Sequence, residues 1–285
     1  MTEPAVAIVG AGRMGQGLAL ALLQLGREVT LLGRGPRDAL APFCWPSAQW
    51  AATLQASDLI LVATPDAAIG AAATSLLATG AIESRHSVLH LSGLLDRTAL
   101  AVLQPTGAAL GSFHPLQTVA DSRTAPERLR DAFAGIEGDD RALDAAEALA
   151  NTLSMRPVRI PSAGKADYHL GATFVANYAA SLLALGQSFA ERAGIPAALA
   201  GELYRPLLGG AAENLVALGP AAALTGAVRR GDIATIEAHL ARLGGRERRL
   251  YCDLGMIALG LAREAGMAPG AAAAVEAVLA DPTAG

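Results

Sequence analysis

The sequence predicts an α/β fold: a doubly wound parallel sheet over residues 1–160, followed by an all-helical domain over residues 161–285. Three observations predict it. Short apolar runs alternate with helical segments up to Ile160, and the β signal stops at Pro161. The chain is also 52% hydrophobic but only 4% aromatic, much of it alanine, which suits close-packed helices better than a β-sandwich.

The elements follow in order. AVAIVGAGRMGQGLALALLQLG reads as a strand, a glycine turn and a helix with leucines and alanines at helical spacing, ended by Gly26. EVTLLGR is the second strand, so a βαβ unit fits within about 35 residues. DLILVATPD is a strand, residues 66–78 a helix, SVLHLSG a strand, residues 96–103 a short helix and AALGSFHP a strand, all in parallel order. After a loop rich in charge and proline, FAGIEG and RPVRI flank the helix RALDAAEALANTLS, and the sheet ends near Ile160. A long helix from Lys165 to Ala193 is closed by Gly194 and Pro196. Helices over 197–218, 232–243 and 246–265 follow, with GPAAALTGAVRRGD as the main loop between them, and the alanine-rich tail frays at its end.

Composition narrows the function. At 285 residues the chain has room for two ordinary cores, and a net charge of −4 lacks the basic excess that nucleic acid requires. No zinc spacing is present, so no metal site is expected. Cys44 and Cys252 make no disulfide framework, and the start MTEPAVAIVG has no basic segment ahead of an apolar one, which predicts a cytoplasmic protein. The uncharged run between His169 and Glu191 is long enough for a bilayer. Its Thr173, Asn177, Tyr178, Ser181, Gln187 and Ser188 fit a helix buried in a core or subunit interface better.

GAGRMG, with Gly10, Gly12 and Gly15 around Arg13 and Met14, lies between a strand and a helix. That is the context of a Rossmann dinucleotide site: Gly10 for the tight turn, Gly12 for approach of the pyrophosphate, Gly15 for helix-to-strand packing. At the end of the second strand an NAD site usually carries a carboxylate. Here Gly33, Arg34, Gly35, Pro36 and Arg37 stand instead, and the guanidinium of Arg34 suits the 2′-phosphate of NADP (NADPH). Thr64 and Pro65 lie beside the path from adenosine to nicotinamide, and Ser92, after VLHL, closes the next strand.

At the reacting end, His114 follows ALGSF and precedes Pro115, which holds it extended. Lys165 is the only lysine; the 22 basic Lys and Arg positions are otherwise arginine. A stray surface lysine is the plainer reading, but an ammonium whose pKa burial can lower donates a proton that arginine does not. His169, one turn on, shares its helix face, so Lys165, His114 and His169 are the catalytic candidates. Asn177 is too far along the helix to share Lys165's substrate and satisfies a core or interface hydrogen bond. Arg229 or Arg230 could clamp a substrate carboxylate, with Asp232 as an N-cap. His86 and His90 read as structural or surface residues, His239 as a half-buried packing residue, and Arg246, Arg248 and Arg249 as a solvated face.

These segments resemble the 6-phosphogluconate dehydrogenase-like superfamily, which includes hydroxyacid dehydrogenases, ketopantoate reductase, pyrroline-5-carboxylate reductase and prephenate dehydrogenase. SGLL, GSFHPLQT, GKADYHLGATFVANY and LTGAVRRGD are similar to a Rossmann-like branch with a helical C-terminal domain of unknown function. The resemblance implies an NADP-linked oxidoreductase, often a homodimer through its C-terminal helices. Lys165 matches the lysine of the hydroxyacid enzymes and His114 the histidine of the prephenate pattern, but His169 stands where the former have asparagine. The expected reaction is reduction of a small 2-oxo acid or related carbonyl, ketopantoate being the most specific candidate. Prephenate-like oxidation of a cyclic hydroxy acid and a non-catalytic NADP sensor are the alternatives. The uncharged face of the Lys165–Ala193 helix is the expected dimer contact.

Overall fold

The computed structural model describes residues 5–35, 38–45 and 49–280. Pro36 and Arg37, and the tail from 281, lie outside them. The described chain divides into two compact units, Met1–Ala179 and Ala180–Gly285, so the first unit extends beyond the end of the sheet and takes in the helix that carries Lys165.

The first unit is built on eight strands: β1 (Ala5–Val9), β2 (Val29–Leu32), β3 (Phe43–Cys44), β4 (Ser57–Val62), β5 (Ser87–His90), β6 (Ala109–Pro115), β7 (Phe133–Gly138) and β8 (Arg156–Arg159). Their order is β3-β2-β1-β4-β5-β6-β7-β8. β3 is only two residues long and escapes a periodicity reading for that reason. Alternation along each strand makes two cores. Val6, Ile8, Leu31, Leu61 and Phe113 face one layer, with α1 (Arg13–Gln24) and α5 (Asp140–Thr152). Ala7, Val9, Leu32, Ile60 and Val88 face the other, with α2 (Trp50–Gln55), α3 (Asp66–Ala78) and the 3-10 helix Arg97–Thr106.

One pairing departs from the parallel order read from the sequence: β6 and β7 are antiparallel, with Ser112 opposite Glu137 and His114 opposite Gly135. The connection explains it. Between them lies only a short helical segment ending in α4 (Ala125–Leu129), which packs on α1: Ser122 Oγ donates to the Arg13 carbonyl at 2.8 Å, and a Cβ on Gly17 would meet Ala125 at 2.5 Å. Tied there, the chain re-enters the sheet from the same edge and reverses direction. The longer α5 crossover then restores parallel pairing between β7 and β8.

The expected long helix is α6 (Lys165–Ala172), a π turn at Thr173–Asn177 and α7 (Tyr178–Arg192). The division between units falls inside α7. The second unit holds α8 (Ala197–Leu203), α9 (Arg205–Leu218), α10 (Pro220–Ala223), α11 (Gly226–Arg230), α12 (Ile233–Leu240), α13 (Gly245–Glu264) and α14 (Pro269–Leu279). The helix expected over 197–218 breaks at Tyr204, and the expected loop over 219–232 contains two short helices. Its core gathers Ile236, Leu240, Cys252, Leu259, Val275 and Leu279. Asp232 caps α12, accepting from Thr235 N at 3.1 Å. His239 is exposed rather than half-buried and pairs with Tyr251 Oη at 3.0 Å. Arg248 is not a free surface cation, since it donates to the Leu240 carbonyl at 2.9 Å. Among the described residues no helix is long and apolar enough to cross a membrane.

The glycines of the first turn differ in what demands them. Gly10 has φ +115°, and an added Cβ would lie 2.7 Å from the Ala63 carbonyl; on Gly15 it would lie 2.0 Å from the Gly10 carbonyl. Gly12 has no heavy atom within 4 Å of such a Cβ and an ordinary φ of −76°. Gly15→Ala should therefore destabilise the fold by at least the roughly 1–3 kcal/mol of an overpacked site. Gly12→Ser, a good N-cap residue, should stay within about 0.5 kcal/mol of the parent. Urea unfolding of the two variants measures the contrast.

Candidate active site

Three adjoining pockets run along the carboxyl ends of the strands. The first, about 520 Å³, is lined by Gly10, Gly12, Arg34, Trp50, Thr64 and Ser75 among others. A smaller one, about 210 Å³, shares Thr64 with it and adds Met14, Asp66, Leu91 and His114. The third, about 570 Å³, shares His114, Pro115 and Gln117 with the second and adds Tyr168, His169 and Asn177. His114 thus stands at the junction of the last two. Asn177 is exposed and lines the third pocket with His169, so it holds no core position. Among the described residues no cluster of His, Cys, Asp and Glu could hold a metal ion.

The first pocket fits a dinucleotide. Gly12 has no reason within the protein to lack a side chain, but a pyrophosphate above the N-terminus of α1 supplies one. Trp50 Nε1 and Thr64 Oγ1 are buried without a partner, and both residues line this pocket. Unpaired buried polar atoms are costly, so ones on a pocket wall are partners for a ligand. Arg34 is exposed at its rim, and exposed Arg13 contributes its carbonyl to Ser122. The comparisons agree. Residues 5–89 match the family model described as NADP oxidoreductase, coenzyme F420-dependent, and residues 132–257 match a domain of unknown function, DUF2520.

The chain carries an NADP oxidoreductase segment followed by a DUF2520 segment.

Solved structures share the fold of this oxidoreductase. A Thermotoga maritima protein is 22% identical with a TM-score of 0.70, covering 92% of this chain and 100% of its own. A Bacteroides fragilis protein described as an NADP oxidoreductase is 23% identical with a TM-score of 0.66, covering 90% and 98%. An imine reductase from Myxococcus stipitatus, solved with NADP+, is 18% identical with a TM-score of 0.54, covering 98% and 93%. No curated protein matches the chain.

Where the second and third pockets meet, β6 and β7 turn Ser112, His114, Gly135 and Glu137 to one face, and α6 lays Lys165, Tyr168 and His169 over it. His114 Nδ1 is 2.9 Å from Tyr168 Oη. The phenol fits because residue 135 is glycine: a Cβ there would lie 2.6 Å from Tyr168 Oη. The His114 and His169 rings stand edge to face with centroids 6.2 Å apart. Gly93 makes room for both, since its Cβ would fall 2.8 Å from His114 Cε1 and 2.9 Å from His169 Cδ2. Burial, with the nearby charges of His169 and Lys165, pushes the His114 pKa down to about 4, so its imidazole is neutral at pH 7. Burial pushes Tyr168 up to about 12. The protonated phenol can donate to Nδ1, with the ring proton on Nε2, or accept from Nδ1–H.

Lys165 is 2% exposed and lines none of the three pockets. Its Nζ donates to Ser112 Oγ at 2.7 Å and to the Ser92 carbonyl at 3.4 Å. Burial lowers its pKa, opposed by the carboxylates of Glu137, Asp96 and Asp66. Ser92 Oγ donates to Asp66 Oδ2 at 2.8 Å and accepts from Leu94 N and Leu95 N, so it organises the turn above the lysine rather than the first pocket. In the second unit, Arg229 donates to the Ala265 carbonyl at 3.0 Å and Arg230 lies 3.7 Å from Asp232 Oδ2. Ser112, Gly135, Glu137, Tyr168, Gly93 and Trp50 escape the sequence reading. Only Tyr168, three residues from Lys165 on the same helix face, and Ser112, two before His114 on the same strand face, carried a periodicity signal.

His86 and His90 are both fully buried. His90 accepts from Ser92 N at 3.2 Å and bonds the Asp96 carbonyl at 2.9 Å through Nε2, and burial pushes its pKa down to about 4 from 6.5. The unfolded chain therefore binds a proton that the folded one refuses between about pH 6.5 and 4. Stability is lost as pH falls through that window, at about 1.4 kcal/mol per pH unit for each such histidine. The urea midpoint of His90→Gln, measured from pH 7.5 to 4.5, should fall less steeply than the parent's.

Proposed function

We propose that the protein is an NADPH-dependent reductase of a small, uncharged imine or carbonyl compound bound in the pocket of His114, His169 and Asn177. The observation that carries this reading is the position of His114, which lines both the pocket next to the dinucleotide groove and the pocket beyond it. Bound NADPH supplies the hydride. Neutral His114, with Tyr168 donating to Nδ1, donates from Nε2–H to the substrate heteroatom and polarises the C=N or C=O bond. His169, on the same wall, provides the proton. Lys165 lies one layer behind, and its charge offsets the negative charge that grows on the heteroatom.

The substrate class follows from the wall. The residues lining that pocket include no arginine or lysine, so a 2-oxo acid such as ketopantoate finds no partner for its carboxylate there; Arg229 and Arg230 remain the candidates for such a contact. The fold shared with an imine reductase makes a neutral imine the first compound to test. In this reading residues 1–160 carry NADP, and residues 161–285 complete the substrate side and join two copies into a homodimer. Val175 in the first unit and Val216 in the second are 81% and 90% exposed, each an apolar side chain suited to cover by a second copy.

Arg34→Ala should erase most of a preference for NADPH over NADH, a charge-assisted contact of roughly 1.5–3 kcal/mol or about tenfold to a hundredfold in affinity; equal binding of both cofactors by the parent would refute the assignment. In the NADPH-loaded protein, neutral cyclic imines or ketones should raise the melting temperature and oxidise NADPH. A response confined to 2-oxo acids would reject the neutral-substrate reading. His169→Asn should lower kcat about a hundredfold to ten-thousandfold, as loss of a proton donor does, with NADPH affinity unchanged.

A further inference from the structure

Glu137 takes no part in the groove, yet it is 6% exposed and every oxygen has a partner. Oε2 accepts from Arg97 N at 2.9 Å and lies 3.5 Å from Ser112 Oγ. Oε1 accepts from Ser162 Oγ at 3.1 Å. Ser112 Oγ, opposite Glu137 across the β6–β7 pair, is also the acceptor of Lys165 Nζ at 2.7 Å. A hydroxyl has one proton to give and lone pairs to receive, so Ser112 can bridge the two charges in one direction only, receiving from the ammonium and donating to the carboxylate. Beyond Glu137 the chain reaches exposed Ser162. Both residues line a separate cavity of about 340 Å³, with Arg97 and Arg159, that shares no lining residue with the three pockets of the groove.

We propose that Glu137 is the positioning residue of Lys165: it holds the buried ammonium charged through Ser112, and the path Ser112–Glu137–Ser162 lets the lysine exchange protons with water in this second cavity, behind the cofactor groove. The inference rests on the proposed role of Lys165 as the charge behind the reacting centre. Other groups face the lysine, but each is otherwise engaged. Asp66 accepts from Ser92 Oγ, and Asp96 holds Thr98 N at 2.9 Å. His90 and His114 are neutral, Tyr168 is a protonated phenol, and His169 lies on the wall of the groove. Burial alone would strip the charge from a lysine paired only with a serine and a carbonyl; a carboxylate one hydroxyl away prevents that. When the amine has lost a proton, the Glu137 carboxylate first gains one from a hydronium in the cavity through Ser162, then gives it to Ser112 as Ser112 gives its own to the amine. One hydronium becomes water, Glu137 returns to carboxylate and the amine becomes ammonium.

Because the chain has a single lysine, lysine labelled with 15N at Nζ yields one side-chain resonance, whose titration and proton exchange with water can be read without substrate. Glu137→Gln should lower the Lys165 pKa by about one pH unit or more, as loss of an adjacent opposite charge does, and Glu137→Asp should restore part of it. Ser162→Ala, at an exposed position that does not threaten the fold, should leave the pKa in place and slow exchange about tenfold. An unchanged pKa in a folded Glu137→Gln variant, or unchanged exchange in Ser162→Ala, would overturn the proposal. NADPH binding by the parent serves as the separate control: its absence would refute the proposed function and leave the lysine resonance to decide the role of Glu137.

Discussion

The site depends on the antiparallel pairing of β6 with β7. Strand neighbours in such a pair turn their side chains to the same face, so setting Ser112 against Glu137 and His114 against Gly135 creates two small systems side by side. In one, a serine bridges a buried lysine and a buried glutamate. In the other, a missing side chain leaves space for the tyrosine that hydrogen-bonds a histidine. A parallel β7 would change the register and separate both pairs. The reversal itself comes from the tie between residues 122–125 and α1, the helix that opens the dinucleotide pocket, so the packing there links the first pocket to the strand pair that carries His114.

Helix α6 completes what the strands begin. Lys165, Tyr168 and His169 fall at positions i, i+3 and i+4 and meet one surface. They do not share one environment. Lys165 is sealed under the Ser92–Gly93 turn, Tyr168 is half-buried against Gly135, and His169 reaches the open pocket. This layering separates fixed charge from the groups exposed to a ligand, and it keeps His114 neutral by combining burial with the nearby charge of Lys165. The π turn that follows changes the helical phase, and Asn177 lines the pocket with His169 although simple helical spacing puts it out of Lys165's reach.

The dinucleotide end was largely legible in the sequence because it is local. A strand, a glycine turn and a helix lie within one short stretch, and the demands on Gly10 and Gly15 arise from the turn and from Ala63 next to it. Gly12 is informative for the opposite reason: the protein leaves its surroundings empty. Trp50, by contrast, lies on a short helix with no motif around it, and only its unpaired indole nitrogen on the pocket wall marks it. Short elements were also invisible. β3 is too brief for periodicity, and the helices near 220–230 carry glycine and proline that read as loop.

By itself the sequence determined the α/β-then-helical order, the Rossmann turn, the arginine in place of an acidic residue at the second strand, and the singular Lys165 with His169 one turn away. Each is a matter of neighbours in the chain, where spacing and backbone geometry act directly. Tertiary structure alone decided the strand direction after β6, the burial that leaves His114 and His90 neutral, and the partnership of Lys165 with Ser112 and Glu137. Those depend on residues 25 or more positions apart, brought together by a reversal that no local pattern encodes, and on loss of water, which is a property of the packed molecule.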